Sequence, residues 1–174
     1  MNKTKVVRLR VGSEFLEYMR RTIAEKGCAE EVVMAVRGPG GKFLVAGKSF
    51  YPPGTLRLLS GGVEPGESPR EALQRELREE TGFCAEGAEL LGTIRYRIEY
   101  AQGVTSFTSH VFLVPEQTGV PRPSDENEQL TDFQDVGLDE LKEIAARLRS
   151  LPDKWADWGK FRAEAVEYIA ESLD

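Results

Sequence analysis

Three carboxylates, Glu76, Glu79 and Glu80, stand at i, i+3 and i+4, the spacing that puts all three on one face of an α-helix. Carboxylates crowded this way repel one another, and an ordinary surface helix would intersperse opposite charges there. A hard divalent cation removes the conflict, because Mg²⁺ takes oxygen ligands and lets substrate phosphates complete its shell. Glu67 lies just before the helix, so its loop can bring it to the same cations. Arg75 falls four residues before Glu79 and four after Glu71, and its guanidinium can hold a carboxylate in a fixed orientation. Upstream, Ser60-Gly61-Gly62 lets main chain approach a ligand with no Cβ in the way, and its amides can cradle phosphate oxygens. A phosphate-approaching loop beside a cation-holding helix points to chemistry on a phosphate anhydride.

Those groups work only if the helix has fixed ends and a sheet to lie on. Ser68 and Pro69 supply a capping hydroxyl and a first-turn proline, Ala72, Leu73 and Leu77 an apolar stripe, and Gly82 a left-handed stop. Before the glycines, residues 5–11 read as a short strand. Ser13 is placed to cap a helix from Glu14 whose stripe is Phe15, Leu16, Met19 and Ile23, with Gly27 ending it. Residues 31–36 and 42–46 flank a turn at 37–41 and predict a hairpin. After the helix come two longer strands, 88–100 and 104–114, around Gln102-Gly103, then an acidic loop and a last strand over 129–136. Helices over 138–148 and 155–173 are separated by Pro152. The pattern is a mixed β-sheet with helices on its faces, and no repeat or linker divides it.

The chain has 174 residues, enough for one domain that buries roughly 70% of its unfolded surface. A net charge of −6 disfavours nucleic acid and anionic membranes as partners, so an anionic substrate needs cations or a local basic lining. Cys28 and Cys84 form no disulfide framework and read as small apolar residues. No apolar stretch reaches the length of a membrane span, and the expected location is cytoplasmic. His110, the single histidine, sits in an apolar strand and reads as a packed residue.

Residues 61–83 resemble the Nudix box, G-x5-E-x7-R-E-U-x-E-E-x-G-U with U a bulky apolar residue. Gly61, Glu67, Arg75, Glu76, Leu77, Glu79, Glu80, Gly82 and Phe83 each fill their position. The resemblance implies an α/β/α sandwich with the box as loop–helix–loop. It also implies hydrolysis of a nucleoside diphosphate linked to another moiety, with Mg²⁺ or Mn²⁺ polarising the diphosphate and water attacking phosphorus. By the same resemblance Glu76, Glu79 and Glu80 are metal ligands, Glu67 lies nearby, Arg75 holds a glutamate, and Gly61 lends its backbone. The base is a box glutamate, Glu79 or Glu80, or a glutamate on a loop beyond the sheet, here Glu126 or Glu128. Residues 1–174 are then a single domain, with a strand–helix extension at 1–29 and a helical one at 150–174.

Substrate choice lies outside the box. The run from Ser60 to Glu67 is similar to that of ADP-ribose and sugar-nucleotide pyrophosphatases, although no proline falls between Pro69 and Pro115, where that branch often carries one. Tyr100 lies near the tyrosine of dinucleoside polyphosphate hydrolases. Arg57, Arg95, Arg97 and Tyr100 are the candidate substrate contacts, with Arg37 a further cation; strand alternation puts Arg95 and Arg97 on the face opposite Tyr96 and Tyr100. Trp155, Trp158 and Phe161 read as core or subunit packing more readily than as rings for a base. The two extensions add apolar surface suited to a homodimer. The competing classes are a dinucleoside polyphosphate or nucleoside triphosphate pyrophosphohydrolase, and a regulatory module that keeps the fold without catalysis. The intact set of carboxylates argues against the module, and the single histidine against a diphosphate isomerase.

Overall fold

The computed structural model describes residues 3–124 and 129–174. In chain order the elements are β1 (Lys3–Arg10), α1 (Ser13–Lys26), β2 (Glu30–Val36), β3 (Phe43–Lys48), β4 (Arg57–Gly62), α2 (Pro69–Thr81), β5 (Glu89–Tyr100), β6 (Gly103–Val114), β7 (Leu130–Val136), α3 (Leu138–Arg149) and α4 (Ala156–Leu173). The seven strands form one mixed sheet in the order β1-β5-β6-β2-β4-β3-β7. β1 runs parallel to β5 and β2 parallel to β6, while the other neighbours are antiparallel.

Strand alternation sorts the apolar side chains onto two faces. Val33, Ala35, Val45, Leu58, Ile94 and Ile98 join α1, α3 and α4 in one core. Val32, Met34, Leu44, Leu59 and Phe112 point the other way and meet Ala72, Leu73 and Leu77 of α2. The result is the expected α/β/α sandwich, with α2 the one helix on its face of the sheet among the described residues.

Local chemistry fixes the ends of α2. Ser68 Oγ accepts from the Glu71 amide at 3.3 Å while Glu71 Oε2 accepts from the Ser68 amide at 2.7 Å. A reciprocal cap of this kind contributes about 0.5–2 kcal/mol. At the other end Gly82 takes φ 76°, a left-handed conformation that suits glycine, and its amide donates to the Arg78 carbonyl at 2.9 Å.

Two sequence expectations give way to longer-range contacts. β2 and β3 do not pair as a hairpin. β4 serves both: Leu58 and Arg57 pair with β3 and residues 59–62 with β2, leaving one bridge between Arg37 and Phe43. Ser13 does not cap α1; Gly12 occupies the cap position, and its amide donates to Asp157 Oδ2 of α4 at 2.8 Å. The apolar surface of the two extensions is used inside the chain, where Phe15 of α1 meets Phe161 of α4 with ring centroids 6.0 Å apart. Among the described residues no helix is long and apolar enough to cross a membrane.

Candidate active site

Arg75 organises the loop–helix junction. Its Nε and Nη2 donate to the two oxygens of Glu67, each at 2.9 Å, Nη1 donates to Glu76 Oε1 at 2.8 Å, and Nη2 also reaches the Gly62 carbonyl at 2.9 Å. A planar fork can satisfy two carboxylates and a carbonyl at once, which an ammonium cannot. The guanidinium holds the Glu67 carboxyl below the usual carboxylate range. Burial pushes Glu76 the other way, upward, against the pull of Arg75. Glu76 lies directly over Gly61: a Cβ on Gly61 would fall 2.0 Å from the Glu76 carboxyl carbon. Any side chain at 61 would have to displace the Glu76 carboxyl from this place.

The remaining glutamates differ in environment. Glu80 is 1% exposed, under the sheet. Glu79 keeps 47% of its side chain exposed and lies 3.5 Å from Arg75 Nη1. Among the described residues no three acidic, histidine or cysteine side chains converge on one point as a closed cation cage. The donors still suit a hard cation in kind: the carboxylates of Glu76, Glu79 and Glu80 are all oxygen donors on one helix, and the cradle at Gly61 keeps Glu76 against the loop.

The carboxylate helix opens onto a cavity of about 960 Å³. Gly61, Gly62, Glu76 and Glu80 line one part of it, α1 a side, and the residues leading into α4 another. A hydrogen-bonded chain of buried polar groups runs along its floor. Arg57 donates through Nη1 to Ser60 Oγ at 2.9 Å and through Nε to the Tyr51 hydroxyl at 2.7 Å. Arg162 of α4 donates through Nη1 to the same Ser60 Oγ at 3.1 Å and to Glu31 Oε2 at 2.9 Å, while Ser109 donates to Glu31 Oε1 at 2.7 Å. Arg162 Nε is buried with no acceptor among the described residues. Burial works to lower the Arg162 pKa, but Glu31 and its neighbours outweigh it and the guanidinium stays charged.

Of the residues expected from the sequence, Gly61, Glu67, Arg75, Glu76, Glu79 and Glu80 are thus gathered at one junction, and Arg57 stands in the adjoining cavity. Arg95, Arg97 and Tyr100 do not line that cavity. Arg95 and Arg97 are exposed on the sheet face away from α1 and α4, where Arg97 and Arg8 both bind Glu99. Tyr100 is exposed at the strand end. Arg37 lies over the Phe43 ring, 5.2 Å from its centroid, and His110 binds Glu30. Glu126 and Glu128 lie outside the described residues. Just before them, Ser124 donates its amide to the Glu79 carbonyl at 2.8 Å and Arg122 donates its own to Thr81 at 2.9 Å. Trp158 and Phe161 are buried in the core with Trp155 packed against it, as expected, and all three also line the cavity. Arg162 and Glu31 were missed. No local signal singled them out: Arg162 stands among the charges Lys160 and Glu164, and Glu31 directly follows Glu30.

The sequence profile of the NUDIX domain matches residues 29–158. A 67-residue stretch is 42% identical to the 8-oxo-dGTP diphosphatase of Haemophilus influenzae and covers 38% of this chain and 46% of that protein. A 97-residue stretch is 33% identical to the nucleoside triphosphatase NudI of an Enterobacter species and covers 53% of this chain and 68% of that one. The chain spans less than half the length of the H. influenzae relative. The solved structure of the MutT protein from Methanosarcina mazei has a TM-score of 0.59 to this chain at 21% identity, covering 84% of this chain and 96% of that one, a likeness of fold. With its loop–helix junction intact and the domain profile matched across three sandwich layers, the chain belongs to the Nudix family.

Proposed function

We propose that this protein is a divalent-metal-dependent pyrophosphohydrolase acting on a nucleoside diphosphate linked to another moiety, of the ADP-ribose or nucleotide-sugar type. The observation that carries this reading is that Gly61, Glu76 and Glu80 share one cavity of about 960 Å³ with Arg57. That is at the upper end of small-ligand cavities and roomy enough for a two-part substrate.

In this reading Glu76, Glu79 and Glu80 hold Mg²⁺ or Mn²⁺, with Glu67 and the Gly61 backbone beside them. Bound there, the metal would polarise the phosphoryl oxygens and make water a better nucleophile. Arg75 fixes Glu67 and Glu76 relative to the loop, so that their carboxylates need no reorganisation when substrate binds. Arg57 offers positive charge to a phosphate beside Ser60. The proton of the attacking water passes to a glutamate, Glu79 or Glu80 on the helix, or Glu126 or Glu128 on the following loop, whose start is tied to the Glu79 carbonyl through Ser124. Residues 1–174 act as one cytoplasmic unit whose two extensions complete the cavity. A homodimer would use surface such as the strand around Val6, which is 74% exposed, and a monomer mass by light scattering at micromolar concentration would refute it.

The relatives named as an 8-oxo-dGTP diphosphatase and a nucleoside triphosphatase favour a second reading, pyrophosphate release from a nucleoside triphosphate. Turnover with Mg²⁺ of ADP-ribose, UDP- and GDP-sugars, dinucleoside polyphosphates and nucleoside triphosphates separates the two. Glu79→Gln and Glu80→Gln should each lower turnover by two orders of magnitude or so. A protein that turns over none of the panel, or that keeps its rate in both variants, refutes the enzymatic reading.

A further inference from the structure

Passing from Ser60 along Arg57 to the Tyr51 hydroxyl, the cavity reaches a wall of four rings. Tyr51 packs on Trp158 at 4.8 Å and edge-on to Trp155 at 5.7 Å, and the two tryptophans meet edge-on at 5.2 Å. Phe50 faces Trp155 with planes 25° from parallel and centroids 6.5 Å apart. Aromatic contacts within a core usually bury both partners, yet Phe50 is 55% exposed. A flat ring held on both faces needs walls about 7 Å apart at van der Waals contact, so the exposed Phe50 must swing away from Trp155 to admit one. A pyranose chair is thicker and puckered, and fits such a slot less well. Arg162 also lines the cavity, and its guanidinium is only partly engaged: Nη1 donates to Glu31 and Ser60, while the buried Nε–H meets no acceptor among the described residues.

We propose that residues outside the carboxylate loop and helix build a nucleobase subsite: Phe50 and Trp155 clamp the base, and Arg162 donates to its acceptor edge. The proposal rests on the reading of the cavity as a nucleotide site and sharpens it by assigning the ring end to a base and not to a sugar. It orients the substrate, with the diphosphate at Glu76 and Arg57 and the base at the junction of the loop after β3 with the start of α4. It also assigns a use to the N- and C-terminal extensions, since α1 walls the cavity and α4 carries Arg162.

The chain's two tryptophans, Trp155 and Trp158, both belong to this wall, so intrinsic fluorescence reports on it directly. The protein in EDTA is titrated with AMP, GMP and UMP, which hold no diphosphate to cleave, and in parallel with ribose 5-phosphate and glucose 1-phosphate. Saturable quenching by at least one nucleoside monophosphate, and none by the sugar phosphates at equal concentration, is the expected result. Calorimetry should show nucleotide affinity about tenfold weaker in Trp155→Ala and restored in Trp155→Phe, the scale of one base–ring stack. Arg162→Lys keeps a charge opposite Glu31 but lacks the planar, many-donor guanidinium, and should weaken binding several-fold. Circular dichroism confirms that each variant is folded. Equal quenching by sugar phosphates, or unchanged affinity in both Trp155→Ala and Arg162→Lys, overturns the proposal. Base binding without turnover of any substrate would instead refute the enzymatic reading and leave the subsite standing.

Discussion

A methyl group added at Gly61 tests the junction where loop and helix meet. The new Cβ would lie 2.0 Å from Glu76 Cδ and 2.3 Å from its Cγ and Oε2. Carbon atoms settle at about 3.5–4.0 Å, so the carboxyl must retreat by about 1.5 Å. Retreat gives up the 2.8 Å bond from Arg75 Nη1 and moves a largely buried charge from its fixed place on the cavity lining. Overpacking costs roughly 1–3 kcal/mol, and part of a charge-assisted hydrogen bond adds to it, for a total of about 2–4 kcal/mol. At this chain length that lowers Tm by roughly 5–15 °C. A carboxylate displaced by about an ångström should also lower kcat/KM about a hundredfold. The assay is a double-mutant cycle in urea: wild type, Gly61→Ala, Glu76→Ala and the double variant. With the Glu76 side chain gone the methyl meets no obstacle, so Gly61→Ala should then cost under about 0.5 kcal/mol. Equal cost in both backgrounds would show that Gly61 is needed for its backbone and not for the space above it, and the reasoning would fail.

Arg75→Lys should lower kcat/KM about ten- to a hundredfold and reduce stability to urea by about 1–3 kcal/mol, because one ammonium cannot reach Glu67, Glu76 and the Gly62 carbonyl together. The joint variant Arg95→Ala, Arg97→Ala should leave KM and kcat for the best substrate unchanged, since both side chains lie outside the cavity lining; a raised KM would place substrate on the other sheet face. Glu67 has its folded pKa lowered by Arg75, so its tie to α2 contributes fully above about pH 4.5 and is lost as pH falls through the lower folded value. Urea midpoints measured down to about pH 3 should therefore fall less steeply in Glu67→Gln than in the parent. Dialysis against EDTA should abolish turnover with the far-ultraviolet spectrum intact, and Mg²⁺ or Mn²⁺ should restore it; turnover that persists in EDTA would refute the metal assignment.

The loop and helix at 61–83 were readable because every determinant there is local. Helical spacing aligns Glu76, Glu79 and Glu80, and Ser68, Glu71 and Gly82 fix the helix ends within one turn. The mixed sheet with helices on its faces was readable from the order of strand and helix patterns, and the sandwich from the resemblance of residues 61–83 to the Nudix box. What escaped the sequence depends on partners far away in the chain. The turn at 37–41 reverses the backbone, but whether β2 and β3 then touch is decided by β4, which pairs with both. Ser13 had the chemistry of a cap, yet Asp157 satisfies that end of α1 instead. Arg95 and Arg97 are cations of the right type for phosphate, and only the sheet's facing decides which side of the molecule they serve. Arg162 looks like an ordinary charge on a helix until Glu31 and Ser60 are brought beneath it.

The bond between Gly12 and Asp157 joins residues 145 positions apart, and β1 meets β5 across a comparable gap, with Thr4 beside Thr93 at a separation of 89. Such distant pairings form slowly, after local ones. During synthesis β1 must wait for a partner that emerges much later, and Lys3, Lys5, Arg8 and Arg10 give the waiting strand a charged edge that discourages wrong pairing. The loop–helix junction needs only its own neighbours and the strands around β4. A growing chain therefore completes its carboxylate helix early and the wall that encloses the cavity last.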